Sequence, residues 1–317
     1  MSVDPGAPSV GFDVGGQSIK AALVSSDGEV LARASAPTGE ETDLDALVRA
    51  FHGLLENLGA TARPADAIGI GIAGVLDRSG ALRGSPHLPL LVGNPIAEAV
   101  SKGLGCRVVV HNDADCAAMA EGWHGAAHGH DDFLLITLGT GVGSGLVLGG
   151  RLRAGRSGFG CELGHMMVVH AGRRCGCGNL GCLEAYISET AARSLVEGAP
   201  GPLRGRVAES RAKGGGGFAQ ALFDLGTAGD AEAEELAGGM VDVLGAAIAS
   251  AVNVLDLTAI VLGGGIAPGV LARLARLRDS AARSLFARPV SDLELVAASR
   301  GPLAGAIGAA RLAMLAH

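Results

Sequence analysis

The sequence predicts an α/β protein of duplicated, two-lobe architecture with a cleft between the lobes, and three observations lead there. A strand, glycine turn, strand arrangement occurs at Val10 to Val24 and again at Phe133 to Leu148. Around these units helical and extended patterns alternate, as α/β layering requires. At 317 residues the chain is long enough to bury a substantial core on each side of a cleft.

Taken in order, apolar Val10 to Val14 runs into Gly15-Gly16, and Ile19 to Val24 and a third short strand after Asp27-Gly28 complete a β-meander. A strand following the glycines argues against the dinucleotide and P-loop fingerprints, which both need a helix there. A helix is expected over Asp43 to Leu58, a strand over Ala67 to Ala73, a helix near Pro95 to Lys102, a strand over Cys106 to Val110 and a helix opening at Asp113. In the second unit the strand ends at Leu138, the glycine loop runs to Gly145, and Leu146 to Leu148 continues extended. The segment Gly198 to Gly217, rich in Gly, Pro, Arg and Ala, reads as a loop or lid-like connection. A long helix over Asp230 to Val254 precedes a buried strand at Ala259 to Leu262, and further helices are expected over Pro268 to Phe286 and Pro302 to Leu315. The last of these is expected to pack back on the first lobe. The small lobe is therefore assigned residues 1–115 plus about 302–317, and the large lobe residues 116–301.

An apolar fraction of 48% against 18% charged residues excludes a disordered chain, and no apolar run reaches the length that spans a bilayer. The formal charge of −7, with basic residues scattered, argues against a nucleic-acid surface and for a small-molecule partner. Met1 to Ser9 shows no basic segment followed by an apolar stretch, so neither a secretory signal nor an anchor is expected and the cytoplasm is the expected compartment.

Asp13-Val14-Gly15-Gly16 places a carboxylate at a strand end beside two residues whose backbone amides can approach phosphate closely, a corner suited to phosphate and magnesium; an ordinary hairpin turn has the same tetrapeptide. The loop Gly139-Thr140-Gly141-Val142-Gly143-Ser144-Gly145 is harder to explain by turn geometry alone, and two such loops can cradle a triphosphate. Gly263-Gly264-Gly265 after a buried strand suits close approach of an adenosine, or simply close helix packing. Asn112-Asp113 follows a strand at the carboxyl edge, where open α/β sheets place catalytic groups; Asp113 is a candidate general base, while its local pattern by itself reads first as a helix cap. Phosphoryl transfer needs positioning, charge neutralisation and one acceptor for the hydroxyl proton, so a single placed carboxylate suffices.

Of six cysteines, Cys175, Cys177 and Cys182 crowd into eight residues, and His165 upstream completes a Cys3His set for a structural zinc ion. Cys106, Cys116 and Cys161 read as small core residues. Glu162 lies just before this knuckle and Glu184 just after it, so a folded metal site would hold two carboxylates and an imidazole together as acceptors for sugar hydroxyls.

On these residues the chain resembles the ROK family of repressors, open reading frames and sugar kinases, from about Val10 to the C-terminus. The most specific match is Gly164-His165 followed by Cys175-x-Cys177-Gly178-x-x-Gly181-Cys182-x-Glu184. The resemblance implies an actin/hexokinase-like (ribonuclease H-like) fold and an ATP-dependent, glucokinase-like sugar kinase. It implies zinc on His165, Cys175, Cys177 and Cys182, sugar contacts from Asn112, Asp113, Glu162, His165 and Glu184, and Asp113 as catalytic base. For ATP and magnesium it points to Asp13, Gly15, Gly16 and Gln17, to Gly139, Thr140, Gly141 and Gly143, and to Gly263, Gly264 and Gly265. Three positions depart from the family pattern: Gln17 replaces Thr, Pro86-His87-Leu88 replaces Pro-Asn-Leu, and Ala73-Gly74 replaces Pro-Gly. Relatives of this kind are often dimers or tetramers. Glucose is the first expected substrate, with N-acetylglucosamine, N-acetylmannosamine or fructose as alternatives, polyphosphate as an alternative donor, and a silent sugar sensor as the non-enzymatic alternative. A repressor needs a DNA-binding module ahead of the sugar domain, and nine residues precede the first strand.

Overall fold

The structure, a computed structural model, describes residues 7–59, 67–199 and 201–316. Most of the N-terminal stretch read for a leader, residues 1–6, and Pro200 within the 198–217 segment lie outside the described residues. The chain forms two compact units: Met1–Asp131, Gly145–Cys161 and Ala298–His317 in the first, Asp132–Ser144 and Glu162–Ala297 in the second.

The first unit opens with the expected meander, β1 (Ser9–Val14), β2 (Ser18–Val24) and β3 (Val30–Pro37). Then come α1 (Leu44–Asn57), β4 (Ala67–Ile72), the small hairpin β5 (Val75–Leu76) and β6 (Leu82–Gly84), α2 (Ile96–Leu104), β7 (Arg107–Asn112) and α3 (Asp113–His124). The sheet order is β3-β2-β1-β4-β7, with β1, β4 and β7 mutually parallel. The parallel strands β1 and β4 are apolar almost throughout because both faces are covered. On one face α1 packs Phe51 against Phe12 at 4.2 Å between ring centroids.

The other face carries α10 (Ala304–Leu315), as expected of the last helix. Its approach is unusually close. A Cβ at Gly11 would lie 1.9 Å from the Ala306 carbonyl oxygen, and one at Gly69 would lie 1.8 Å from that of Ala309. Neither strand position tolerates a side chain, because helix backbone fills the space. Glu121, at the end of α3, is completely buried and accepts hydrogen bonds from the backbone N–H groups of Ala126, Ser299 and Arg300 and from the Ser299 hydroxyl. These contacts carry α3 into the first unit, so that unit extends to Asp131 rather than ending at 115.

A second sheet is built on β8 (Phe133–Leu138), β9 (Val142–Leu148) with the short β10 (Arg151–Leu152), and later β11 (Ala259–Gly263) and β12 (Glu294–Ala297), of which β8, β11 and β12 belong wholly to the second unit. The order β10-β9-β8-β11-β12 repeats the first sheet: an antiparallel ribbon at one edge, then parallel pairing of β8 with β11 and of β11 with β12. Duplication is therefore a property of the topology as well as of the glycine turns.

Helices α4 (Glu189–Gly198), α5 (Leu203–Gly214), α6 (Phe218–Thr227), α7 (Ala231–Leu255), α8 (Ala267–Leu271) and α9 (Leu274–Ala282) complete this unit. Three expectations are corrected. Residues 203–214 form a helix rather than a loop; only Leu203 and Val207, four residues apart, anchor it in the core, so its periodicity is faint. The helix expected over Pro268 to Phe286 is two, broken near Ala272, where the Arg273 guanidinium turns inward to Glu234 and to the Phe223 and Gly269 carbonyls. Finally, α7 is long and apolar enough to cross a membrane by length and composition, but 56% of its apolar window is buried within the protein, where it packs against α6 and α9. Asp242 interrupts that apolar run in the sequence, and in the fold it pairs with Arg276 of α9 at 2.7 Å.

Candidate active site

In the first unit the expected residues collect at the carboxyl ends of β1, β4 and β7. The Gly15 N–H donates to the Ser18 carbonyl at 3.0 Å, closing the β1–β2 turn, and the Thr38 hydroxyl donates to the Gly15 carbonyl at 2.6 Å. The corner is thus both a tight hairpin and a glycine-lined surface. His87 closes one side of it: a Cβ at Gly16 would lie 2.6 Å from the His87 Cβ. Asp13 sits behind the turn, 3.7 Å from the Lys20 ammonium, with the first turn of α10 against it at Gly305. Burial pushes the Asp13 carboxyl above the ordinary aspartate range, and Lys20 only partly offsets this.

β7 runs two residues further than its apolar pattern, to Asn112. Asn112, not Asp113, is the cap of α3: its Oδ1 accepts from the N–H groups of Ala114 at 2.8 Å and Asp115 at 3.2 Å. Its Nδ2 donates to the Gly74 carbonyl at 3.0 Å, fixing the loop after β4. Ser85 ties the next loop to the same place through the Ala73 carbonyl at 2.7 Å. Asp113 is the first residue of the helix, half-buried, with Oδ1 accepting from Ala114 N–H at 3.0 Å.

In the second unit the two remaining glycine segments lie side by side at the ends of the paired strands β8 and β11. Gly264 has φ +86°, a conformation that favours glycine, and it stands over Leu138, whose carbonyl accepts from Ile266 N–H at 3.0 Å. The loop after β8 is held by its own Gly139 N–H to Gly141 carbonyl bond at 2.9 Å and by Glu189 N–H donating to the Gly139 carbonyl at 2.9 Å. Neither Glu189 nor Thr190, whose hydroxyl reaches the Thr140 carbonyl at 3.4 Å, is singled out by the sequence. Ser188 does carry a legible capping signal for α4, but nothing local says which loop that helix end will meet.

His165, Cys175, Cys177 and Cys182 place their donor atoms within 4.8 Å of one another. The Cys177 and Cys182 sulfurs are 3.8 Å apart, and His165 Nδ1 is 3.8 Å from the Cys175 sulfur. Zn–S bonds of about 2.3 Å give a tetrahedral edge of about 3.8 Å, so the donor set fits zinc in both chemistry and spacing. Left-handed Gly178 and Gly181, with φ +95° and +78°, turn the chain inside the knuckle.

Glu162, His165 and Glu184 are brought together as expected. Desolvation pushes the Glu162 carboxyl up, His165 pulls it down and Glu184 pushes it up again, which puts the three within electrostatic reach. The segment is pinned beside the glycine loop, since Leu163 N–H donates to the Ser144 hydroxyl at 3.1 Å.

A description of the ROK family matches residues 9–315. The chain belongs to the ROK family. Among its relatives, glucokinase of Thermotoga maritima is 34% identical over 308 residues, covering 96% of each chain. N-acetylmannosamine kinase of Escherichia fergusonii is 32% identical, covering 95% of this chain and 97% of that one. The crystal structure of a ROK family glucokinase from Streptomyces griseus in complex with glucose and AMPPNP superposes with a TM-score of 0.80 at 32% identity, covering 98% and 100% of the two chains. The actin/hexokinase-like expectation is borne out by this ROK fold and by the duplicated sheet order.

Proposed function

We propose that this ROK protein is a sugar kinase that transfers the γ-phosphoryl group of ATP to a hexose, with the 6-hydroxyl of glucose the first candidate acceptor. The observation that carries it is the position of Asp113 at the carboxyl end of β7 with the helix-capping task already discharged by Asn112. Asp113 thus opens α3 at the catalytic edge of the sheet, one residue past the helix cap. Similarity to glucokinases over the whole chain supports the same activity.

Asp113 takes the proton of the acceptor hydroxyl as that oxygen attacks phosphorus, and the γ-phosphoryl group leaves ADP. Backbone N–H groups of Gly15–Gln17 and Gly139–Gly143 bind and orient the phosphates, with Asp13 the carboxylate for magnesium brought in with ATP. Gly263–Gly265 gives the nucleoside close access to the backbone. Glu162 and Glu184 accept from sugar hydroxyls. His165, whose Nδ1 faces Cys175, has Nε2 left for the same task. Asn112 keeps one amide hydrogen for the sugar after its bonds to Gly74 and α3. Zinc on His165, Cys175, Cys177 and Cys182 supplies a structural cross-link. ATP and a free sugar are cytoplasmic metabolites, and the cytoplasm is where we place the enzyme.

Purified protein with magnesium and ATP is expected to release ADP with glucose in a panel that also holds N-acetylmannosamine, N-acetylglucosamine and fructose; with polyphosphate as a second donor, sugar phosphate is the product to be read. Identity of 32% to an N-acetylmannosamine kinase makes that sugar the leading alternative. Asp113→Asn is expected to lose about 10²–10⁴-fold in kcat with the fold unchanged. Silence of the wild type across the panel, with sugar binding intact, would make the protein a sensor.

A further inference from the structure

Glu184 stands two residues after Cys182 and touches both the knuckle and the glycine loop. Its Oε1 lies 3.4 Å from the Cys175 sulfur, inside the knuckle, while Oε2 accepts from the Val142 N–H at 3.0 Å, in the glycine loop. The loop is shaped for this contact, because any side chain at Gly141 would bring its Cβ within 2.4 Å of the same Oε2. A carboxylate beside a phosphate loop is otherwise an unfavourable neighbour, since it repels the ligand. Turned onto a backbone N–H it does something else: it fixes the 141–142 peptide plane. Among the described residues the N–H groups of Thr140 and Gly141 have no acceptor within the protein, which leaves them for a phosphate. The remaining supports of the loop come from Glu189 and Thr190, at the start of α4.

We propose that Glu184 is a positioning residue of the nucleotide loop, transmitting the folded state of the cysteine knuckle to Gly139–Gly143 through the Val142 amide, so that the knuckle sets affinity for the triphosphate as well as for the sugar. This rests on Gly139–Gly143 being the ATP loop. A hydrogen bond to a charged acceptor is worth more than a factor of ten in an equilibrium, enough to be read in binding.

The test is binding of a non-hydrolysable ATP analogue with magnesium and no sugar, by calorimetry, to the wild type and to Glu184→Gln, Glu184→Asp and Glu184→Ala, with zinc content measured in each. The Gln amide oxygen still reaches Val142, whereas the Asp carboxylate keeps its charge and falls short. Gln keeps the hydrogen bond without its charge and is therefore expected to bind within about tenfold of wild type, with Asp and Ala weaker still, at unchanged zinc content. Stripping zinc before magnesium is added is expected to weaken the analogue in the wild type and to change Ala little. Equal binding by all four proteins, or Gln as weak as Asp, overturns the proposal, and the Gln and Asp pair decides it should Ala fail to fold. A wild type that binds no analogue at all refutes the kinase assignment instead.

Discussion

Asp13, the proposed magnesium carboxylate, carries a burial cost for the fold. Its carboxyl is raised chiefly by burial, so the native state holds that proton more tightly than the unfolded chain does. Stability from this group is therefore complete below the unfolded value near 3.8 and is lost as pH climbs through the folded one. At neutral pH a charged Asp13 is a net liability. Asp13→Asn is expected to raise the melting temperature at pH 7, with the gain vanishing as pH falls below 4, while catalysis with magnesium-ATP is lost. Melting curves across that range check it, and a lower melting temperature at pH 7 would show that the Lys20 contact outweighs desolvation. Sequence reasoning could not have ranked these effects, because Asp13 is buried by Gly305, nearly three hundred positions away. The same limit hid the capping of α3 by the Asn112 side chain, one residue before Asp113.

At the scale of elements, strongly periodic segments were legible and weakly anchored ones were not. α1, with Asp43 accepting from Ala46 N–H, and α7, with Asp230 accepting from Ala233 N–H, carry both a cap and an apolar stripe, and both begin where expected. α5 has neither a side-chain cap nor more than two buried residues, and its glycines spoke for a loop. The knuckle is the opposite case, since spacing alone located it and the structure adds 3.8 Å donor separations. Without a cation, burial pushes the Cys175 thiol up to about 12, a cost that a metal removes by holding the thiolate. Cys177→Ser is expected to lower bound zinc from one per chain to well below half and the melting temperature by about 5 °C or more. Metal analysis and calorimetry on the same sample read both, and an unchanged melting temperature in a zinc-free protein would strip the knuckle of its structural role.

For the whole molecule, the sequence disclosed the repeat of strand and glycine turn, and the structure extends it to two sheets of the same order. The return of the last helix to the first lobe was legible in the sequence; which contacts it makes there was not. The first sheet has one face closed by α10, at contacts that Gly11 and Gly69 leave room for, and Glu121 depends on Ser299 and Arg300 for three of its four hydrogen-bond donors. Contacts spanning some 180 residues form late, after the entropy of closing that loop has been met. A chain ending at Ala297 would leave a fully buried carboxylate largely unpaired, at a cost of about 3–5 kcal/mol, and would expose the apolar face of β1 and β4 as well. Set against a typical domain stability of about 5–15 kcal/mol, these losses leave the first unit no cooperative fold. The truncated protein is expected to lose amide-exchange protection throughout β1, β4 and β7 while β8 and β11 keep theirs, and protection retained in β1 would show that α10 only covers a sheet already formed.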